Sequence, residues 1–379
     1  MLLYPLYALL FAEHGLSTAQ LSSLLAIWSI TSFTLEIPSG VLADATSRRT
    51  LLVVGPMLSS AGFGLWIIAP SYLAFALGFI LWGMQGALQS GALQALVYEE
   101  LERVGAVSRY AHLMGRATAI GTAASALAIG LAAPAFALGG FTAVGAASVL
   151  ACIAAAAVAV GLPEHRTHRD RDAVGGLRSY TAVLKAGLDE VRSAAAVRGA
   201  LLLVPAVAAI WGALDEYIPL LAAETGATTD TVPLLFLLVY LGVAAGGLLA
   251  GPANRMTERA IAALLITAAA TLGVGAISSR PAGFVLIAVG FCAFQIATVV
   301  VDARLQTAIN GAARSTITSL AGLATEVLVV AVFAGYAAGS AVADHATLFV
   351  AFAAIYLGIA AAILVRSRRR PGRGPATSG

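Results

Sequence analysis

Charge is what this chain lacks most. Of its 379 residues only 11% are Asp, Glu, Lys or Arg, less than half the share of about 25% typical of a soluble protein, so a water-facing surface cannot be assembled from it. Cysteine is nearly absent. Cys152 and Cys292 lie inside apolar runs, where a lone cysteine is a small packing residue, and two such residues make no disulfide framework. The five histidines have no metal-ligand spacing beyond His165 and His168 in a charged loop, so no metal or other cofactor is expected. No G-x-x-x-x-G-K-[ST] stretch occurs, which argues against ATP-driven chemistry in this chain. Clustered nucleophiles and acid–base pairs near a watery surface are missing too, which disfavours a membrane-embedded enzyme. The formal charge of +3 and isoelectric point near 9.0 come from basic residues scattered singly between apolar stretches; without a basic face, a nucleic-acid partner is not expected.

What the chain has in abundance is apolar sequence, 60% of all residues. A membrane-crossing helix takes ~20 such residues. Apolar runs between polar breaks predict spans near 1–12, 19–43, 50–69, 72–97, 117–138, 141–161, 200–221, 233–251, 260–279, 282–302, 316–339 and 346–365. The expected architecture is an all-α membrane protein of twelve transmembrane helices in two six-helix bundles. The expected units are an N-terminal bundle over 1–161, a connector over 162–198, a C-terminal bundle over 199–366 and a basic tail over 367–379.

Charge placement tests this map independently, because Lys and Arg in short loops are retained in the cytoplasm. With the loop at Arg48 and Arg49 inside, every Lys and Arg except Arg280 falls on that same side. The chain is therefore expected to be a multi-pass protein of the cell (inner) membrane, with both termini cytoplasmic. In the connector, Leu177, Tyr180, Leu184, Leu188 and Val191 share one helical face, with Arg178, Lys185, Asp189 and Arg192 on another. That pattern suits a helix lying on the membrane surface, or alternatively a solvated linker. The first span is short: from Met1 to Ala12 a helix rises only ~18 Å against a ~30 Å hydrocarbon core, so Met1 is expected to be an internal start.

The most specific motif is Gly40-Val41-Leu42-Ala43-Asp44-Ala45-Thr46-Ser47-Arg48-Arg49 after the second span. It resembles the G-x-L-A-D-R-x-G-R-R/K loop of the major facilitator superfamily, with Ala45 and Ser47 replacing an arginine and a glycine. An echo, Gly247-Leu248-Leu249-Ala250-Gly251-Pro252-Ala253-Asn254-Arg255, keeps the glycine, leucine, alanine and arginine, and Arg314-Ser315-Thr316 echoes Arg116-Ala117-Thr118. Paired echoes imply two equivalent halves. The resemblance covers essentially the whole chain. It implies a twelve-helix fold with a first helix truncated here, alternating access, and a cytoplasmic gate at Gly40, Asp44, Arg48 and Arg49. Two antiporter signatures of that family are altered: Trp82 stands where R-x-x-Q-G has its arginine, and Gly121–Ala126 lacks a terminal Gly-Pro.

Ionisable residues at membrane depth are costly and therefore functional candidates. Glu326 is the deepest, on one face with Ser315, Ser319 and Gly322. It reads as a carboxyl that exchanges a proton or grips a cationic solute, or as a protonated packing group. Glu36 shares a stripe with Trp28, Ser32 and Ser39 and reads as a coupling group or as an interhelical bond. Asp215 and Glu216 are ~100° apart on a helix, so one of them is expected in the cavity, Asp215 being favoured by Trp211 one turn below; Pro219 should break that helix. Trp82, Gln85 and Gln89 form one polar–aromatic stripe, and Phe291, Gln295, Thr298 and Asp302 another. Each reads as solute-lining or as contacts within the bundle. Glu99, Glu100 and Asp302 are expected to pair with Arg304, Arg103 or Arg116, and Gly242, Gly246, Gly247 and Gly251 to mark close helix packing. The function expected is proton-coupled export of a small amphipathic organic compound by a monomer in the lipid bilayer, the proton gradient supplying the energy. Proton-coupled uptake is the alternative.

Overall fold

A computed structural model describes residues 1–165, 195–253, 256–309 and 314–368. Most of the connector, including its amphipathic stretch, and the tail from 369 lie outside the described residues. The described chain is helical: α1 (Tyr7–Glu13), α2 (Thr18–Ala45), α3 (Arg48–Ile68), α4 (Tyr72–Gln89), α5 (Ala92–Arg103) and α6 (Tyr110–Val160) precede the connector. After it come α7 (Ala195–Asp215), α8 (Ile218–Glu224), α9 (Val232–Ala253), α10 (Glu258–Ile277), α11 (Phe284–Ala308), α12 (Arg314–Gly339) and α13 (His345–Arg368).

Among the described residues eight helical stretches are long and apolar enough to cross a membrane, or nine if the bent pair α7–α8 counts as one. The 51-residue α6 would rise about 77 Å if straight, more than two hydrocarbon thicknesses. It is kinked at Gly139 and Gly140, the latter at φ +59°, where an L-residue is strained. That kink coincides with the break expected between 138 and 141. The span expected over 72–97 is interrupted at Ser90 and Gly91, with Gly91 at φ +73° in the left-handed region. Apolar content did not reveal this turn, since the residues on both sides form good helix.

Short polar residues set several helix starts. Ser47 accepts from Thr50 N–H at 3.0 Å, Ser71 from Ala74 N–H at 3.3 Å, Thr257 from Ala260 N–H at 3.2 Å and Asp344 from Thr347 N–H at 2.8 Å. Each relieves a backbone donor that the helix cannot satisfy. Ser47 occupies the family's glycine position because it caps α3. The helix before it runs on to Ala45, so Gly40–Ala45 form the last turns of α2 instead of an open loop.

Side chains such as Ile68, Leu138 and Leu248 stand exposed on the outside, as expected where lipid replaces water. Within the bundle, small residues admit close backbones. A Cβ on Gly242 would lie 2.4 Å from the Ala288 carbonyl oxygen, and one on Gly246 2.5 Å from that of Cys292, so α9 lies directly on α11. Gly251 has nothing within 4 Å and Gly247 only the Gln295 amide at 3.9 Å. Those two point away from the seam, so the close-packing expectation holds for one pair of the two.

Helix neighbours repeat across the connector. α2 packs on α4 and on α12; α9 packs on α11 and on α6. The contacts α2–α12 and α6–α9 therefore join the two sets of helices in equivalent ways.

Candidate functional site

Among the described residues, four hydrogen bonds tie the N-terminal segment through α2 to the helices after the connector. Tyr4 Oη donates to Asp215 Oδ2 at 3.1 Å and Tyr7 Oη to Glu216 Oε2. Tyr217 Oη and Ser22 Oγ are 2.7 Å apart, and because Ser22 donates to the Thr18 carbonyl, the tyrosine is the donor between them. Ser29 Oγ donates to Glu326 Oε2 at 2.5 Å. All four lie in the half of the molecule remote from Arg48, running from the opposite face down to mid-depth.

The break in α7–α8 makes this possible. Pro219 has no N–H to give the carbonyl of Asp215 four residues earlier, so the helix ends there and resumes at Ile218, bent by 51°. The ~100° separation of adjacent helical residues predicts one of the two carboxyls in the cavity, Asp215 being favoured and Glu216 remaining a candidate. In the structure Glu216 lies beyond the end of α7, the angular rule stops applying there, and both carboxyls reach tyrosines of the N-terminal segment, Tyr4 in the turn before α1 and Tyr7 at its start. A second irregularity lies one turn earlier. Trp211 N–H donates to Tyr356 Oη and that hydroxyl donates to the Val207 carbonyl, each at 2.9 Å, so a side chain of α13 is inserted into the hydrogen-bond ladder of α7.

Around the tyrosines is a cluster of rings. Tyr4 meets Trp82 edge-on at 6.1 Å between centroids and Phe236 at 5.4 Å, and Trp28 lies 5.6 Å from Trp82. Trp82, at the position of the family's arginine, thus supplies an aromatic face where a cation would otherwise stand. Trp28 and Trp82 are half-buried, whereas Tyr7 is fully enclosed. Tyr4 and Tyr7 were missed in the sequence because the short first span drew attention to its length. Two hydroxyls three residues apart in an otherwise apolar helix were the available signal.

The remaining candidates divide. Half-buried Glu326 sits at the middle of α12, with exposed Ser319 and Gly322 toward the Arg48 face. Glu36 is exposed on α2 in that same half. Gln85 accepts from Ser59 of α3 at 3.2 Å and bonds Gln89, whose side chain lies over Gly55 of α3; both glutamines serve contacts before the connector. Gln295 packs against Gly246 of α9, and the Trp211 indole donates to Thr298 at 3.0 Å and stands edge-on to Phe291. These two join helices after the connector.

The Arg48 face is organised differently. Glu164 accepts from Ser47 Oγ and, at 2.7 Å, from Arg48 N–H, placing a carboxylate at the N-terminus of α3. Arg48 also pairs with Glu99, while Glu100 pairs with Arg103 at 3.2 Å and with His165. Of the expected partners, Glu100 with Arg103 is observed and Glu99 takes Arg48 instead, because α5 ends beside the start of α3. Arg49 donates to the Leu162 carbonyl at 3.4 Å. The side chains of Gly40–Ala45, Asp44 among them, are outside the described set.

Residues 115–124 of α6 are exposed without interruption, whereas from Ile129 onward the helix alternates with buried positions. Ten consecutive exposed residues cover nearly three turns and every face. Lipid contact accounts for one face only. Tyrosine–carboxyl bonds join the helix sets on the side remote from Arg48, and this stretch of α6 is exposed on the Arg48 side.

The family profile described as Major Facilitator Superfamily matches residues 1–343. No curated protein matches the chain. Among solved structures, a mutant of the nucleoside transporter NupG superposes with a TM-score of 0.74 at 13% identity, covering 96% of this chain and 94% of that one. A D-xylose-proton symporter superposes at 0.68 with 15% identity over 93% and 89%. An auto-inhibited POT family peptide transporter gives 0.58 with 16% identity over 96% and 91%.

Proposed function

The chain belongs to the Major Facilitator Superfamily and is a transporter of that fold, and from this we propose that it exports a small amphipathic organic compound by proton-coupled alternating access. The Arg48 face is cytoplasmic, both termini lie inside, and the monomer works in the cell (inner) membrane. The observation that carries this reading is the one-sided closure. Two tyrosine–carboxyl bonds join the helix sets on the side remote from Arg48, while α6 residues 115–124 are exposed on the Arg48 side, where the proposed inward-facing cleft opens.

Export then proceeds from the observed state. The solute enters the cleft beneath Trp28, Trp82 and Glu326; the two bundles, residues 1–161 and 199–366, rock about α2–α12 and α6–α9; and the bonds at Asp215 and Glu216 part as the outer side opens. Trp211, Gln85, Gln89 and Gln295 act as packing residues that keep each bundle rigid, and Gly40, Asp44, Arg48 and Arg49 form the inner gate. Glu326, joined to Ser29 across the seam, is the coupling carboxyl: protonation removes its charge and changes how strongly it holds the opposite bundle.

Solute flux in proteoliposomes with and without a pH gradient tests the coupling. Wild type should transport only with the gradient, and Glu326→Gln should lose that dependence while retaining counterflow. Gradient-independent flux by wild type refutes it. Similarity to a D-xylose-proton symporter favours uptake as the second reading, and the sign of the gradient that drives accumulation separates the two.

A further inference from the structure

Between the bundles, carboxyls and aromatic rings stand beside the serine and tyrosine hydroxyls already described. Glu326, Asp215 and Glu216 bring carboxyls from the helices after the connector, and Trp28, Trp82 and Tyr4 bring ring faces from those before it. Among the described residues, each Arg lies at or near a helix end or in a loop, and none stands beside these groups along its helix. At the position where the related motif has an arginine there is Trp82, so the one cation the family pattern would put near the path is replaced by a π face. Such a lining attracts positive charge in two ways, through carboxylates and through the negative faces of aromatic rings, and repels an anion by the same means. A neutral solute would gain from the rings and from hydrogen bonds to the acids, but nothing from their charge.

The carboxyls are also occupied in a telling way. Asp215 and Glu216 are held by phenolic donors of the opposing bundle, and those same bonds close the outer face. A ligand that takes the carboxyls must displace the tyrosines. Resting on the transporter reading above, we infer that the transported solute is an organic cation with apolar bulk, and that it loosens the outer closure by competing with Tyr4 and Tyr7 for Asp215 and Glu216. The half-buried faces of Trp28 and Trp82 receive its apolar groups. The carboxyls receive its charge, and the energy of that pairing is set against the tyrosine bonds, so binding and opening are linked.

The test uses the full-length protein in lipid nanodiscs and follows tryptophan fluorescence on titration with tetraphenylphosphonium, and with triphenylphosphine oxide as a neutral compound of similar shape. Saturable quenching by the cation, at least tenfold tighter than by the neutral compound, is expected. The pair Asp215→Asn and Glu216→Gln should erase that difference. Tyr7→Phe should instead tighten cation binding, about threefold or more, because a competitor is gone; a misfolded protein does not gain affinity. Equal binding of the two compounds by wild type, or a Tyr7→Phe protein that binds the cation no more tightly, overturns the inference. Counterflow in proteoliposomes separates the two levels. Saturable counterflow of a neutral or anionic solute and not of the cation sinks the charge assignment and leaves the transporter standing, whereas a simple pore-like leak without counterflow sinks the transport mechanism itself.

Discussion

Replacing Tyr4 and Tyr7 together by phenylalanine removes two hydroxyls and almost no volume, so the ring contacts with Trp82 and Phe236 stay while the bonds to Asp215 and Glu216 go. A hydroxyl bonded to a neutral carboxyl contributes about 1 kcal/mol, and to an ionised one about 1.5–3 kcal/mol. Both bonds exist only while the outer face is shut, because opening carries the carboxyls into water. The double variant should therefore shift the equilibrium by at least ~2 kcal/mol toward the open form, roughly a 30-fold change. A protein closed about 99 times in 100 would then be open in roughly a quarter of molecules. Double electron–electron resonance between labels at Ile68→Cys and Val342→Cys, exposed sites of 84% and 89% accessibility near that face, reads this directly in a background lacking Cys152 and Cys292. A longer-distance population should appear in the double variant and be smaller in each single one. An unchanged distance distribution would refute the argument that these bonds hold the face shut.

Other expectations follow from local geometry. Gly242→Ala places a methyl 2.4 Å from the Ala288 carbonyl and should cost about 1–3 kcal/mol of stability, whereas Gly251→Ala, with open space around it, should leave the melting temperature unchanged; equal melts would contradict the α9–α11 seam. Ser47→Ala removes the cap of α3 and a donor to Glu164 and should lower stability by ~1 kcal/mol, measurable as a shift in thermal unfolding that Ser47→Thr, which keeps the hydroxyl, does not show. Two bonds from Thr347 hold the Asp344 carboxyl below its usual range. Its contribution is therefore present above the ordinary carboxylate value near ~3.9 and is lost as pH falls through the lower folded value. Asp344→Ala should thus destabilise at pH 7 and lose its effect in acid, and a difference that persists at all pH values would show that the charge is irrelevant.

Much of this fold was readable because lipid imposes a simple rule: each crossing is a long apolar helix, so polar breaks mark its ends. The kink at Gly139 and Gly140 and the bend before Pro219 were legible for the same reason, since two glycines and a proline leave few backbone options. What stayed hidden depends on which way side chains turn. Gln85, Gln89 and Gln295 sit on helical stripes that read equally as solute-lining or as contacts within the bundle, because a stripe does not say which neighbour it faces; the contacts observed are to groups of the same helix set. Glu216 ranks behind Asp215 under an angular rule that holds only inside a continuous helix. Tyr356, which enters the ladder of α7 from 145 residues away at Trp211, leaves no local trace in the sequence at all.

The most direct test of the account is sidedness. Gly322 is exposed, has nothing within 4 Å, and lies one turn from Glu326 toward the Arg48 face. In a protein without Cys152 and Cys292, Gly322→Cys should react with a membrane-impermeant maleimide applied from the cytoplasmic side of oriented vesicles, and from the outer side only once Tyr4 and Tyr7 are replaced by phenylalanine. Reaction from the outer side with both tyrosines in place, or from neither side, would contradict a cleft that is open at one end and latched at the other.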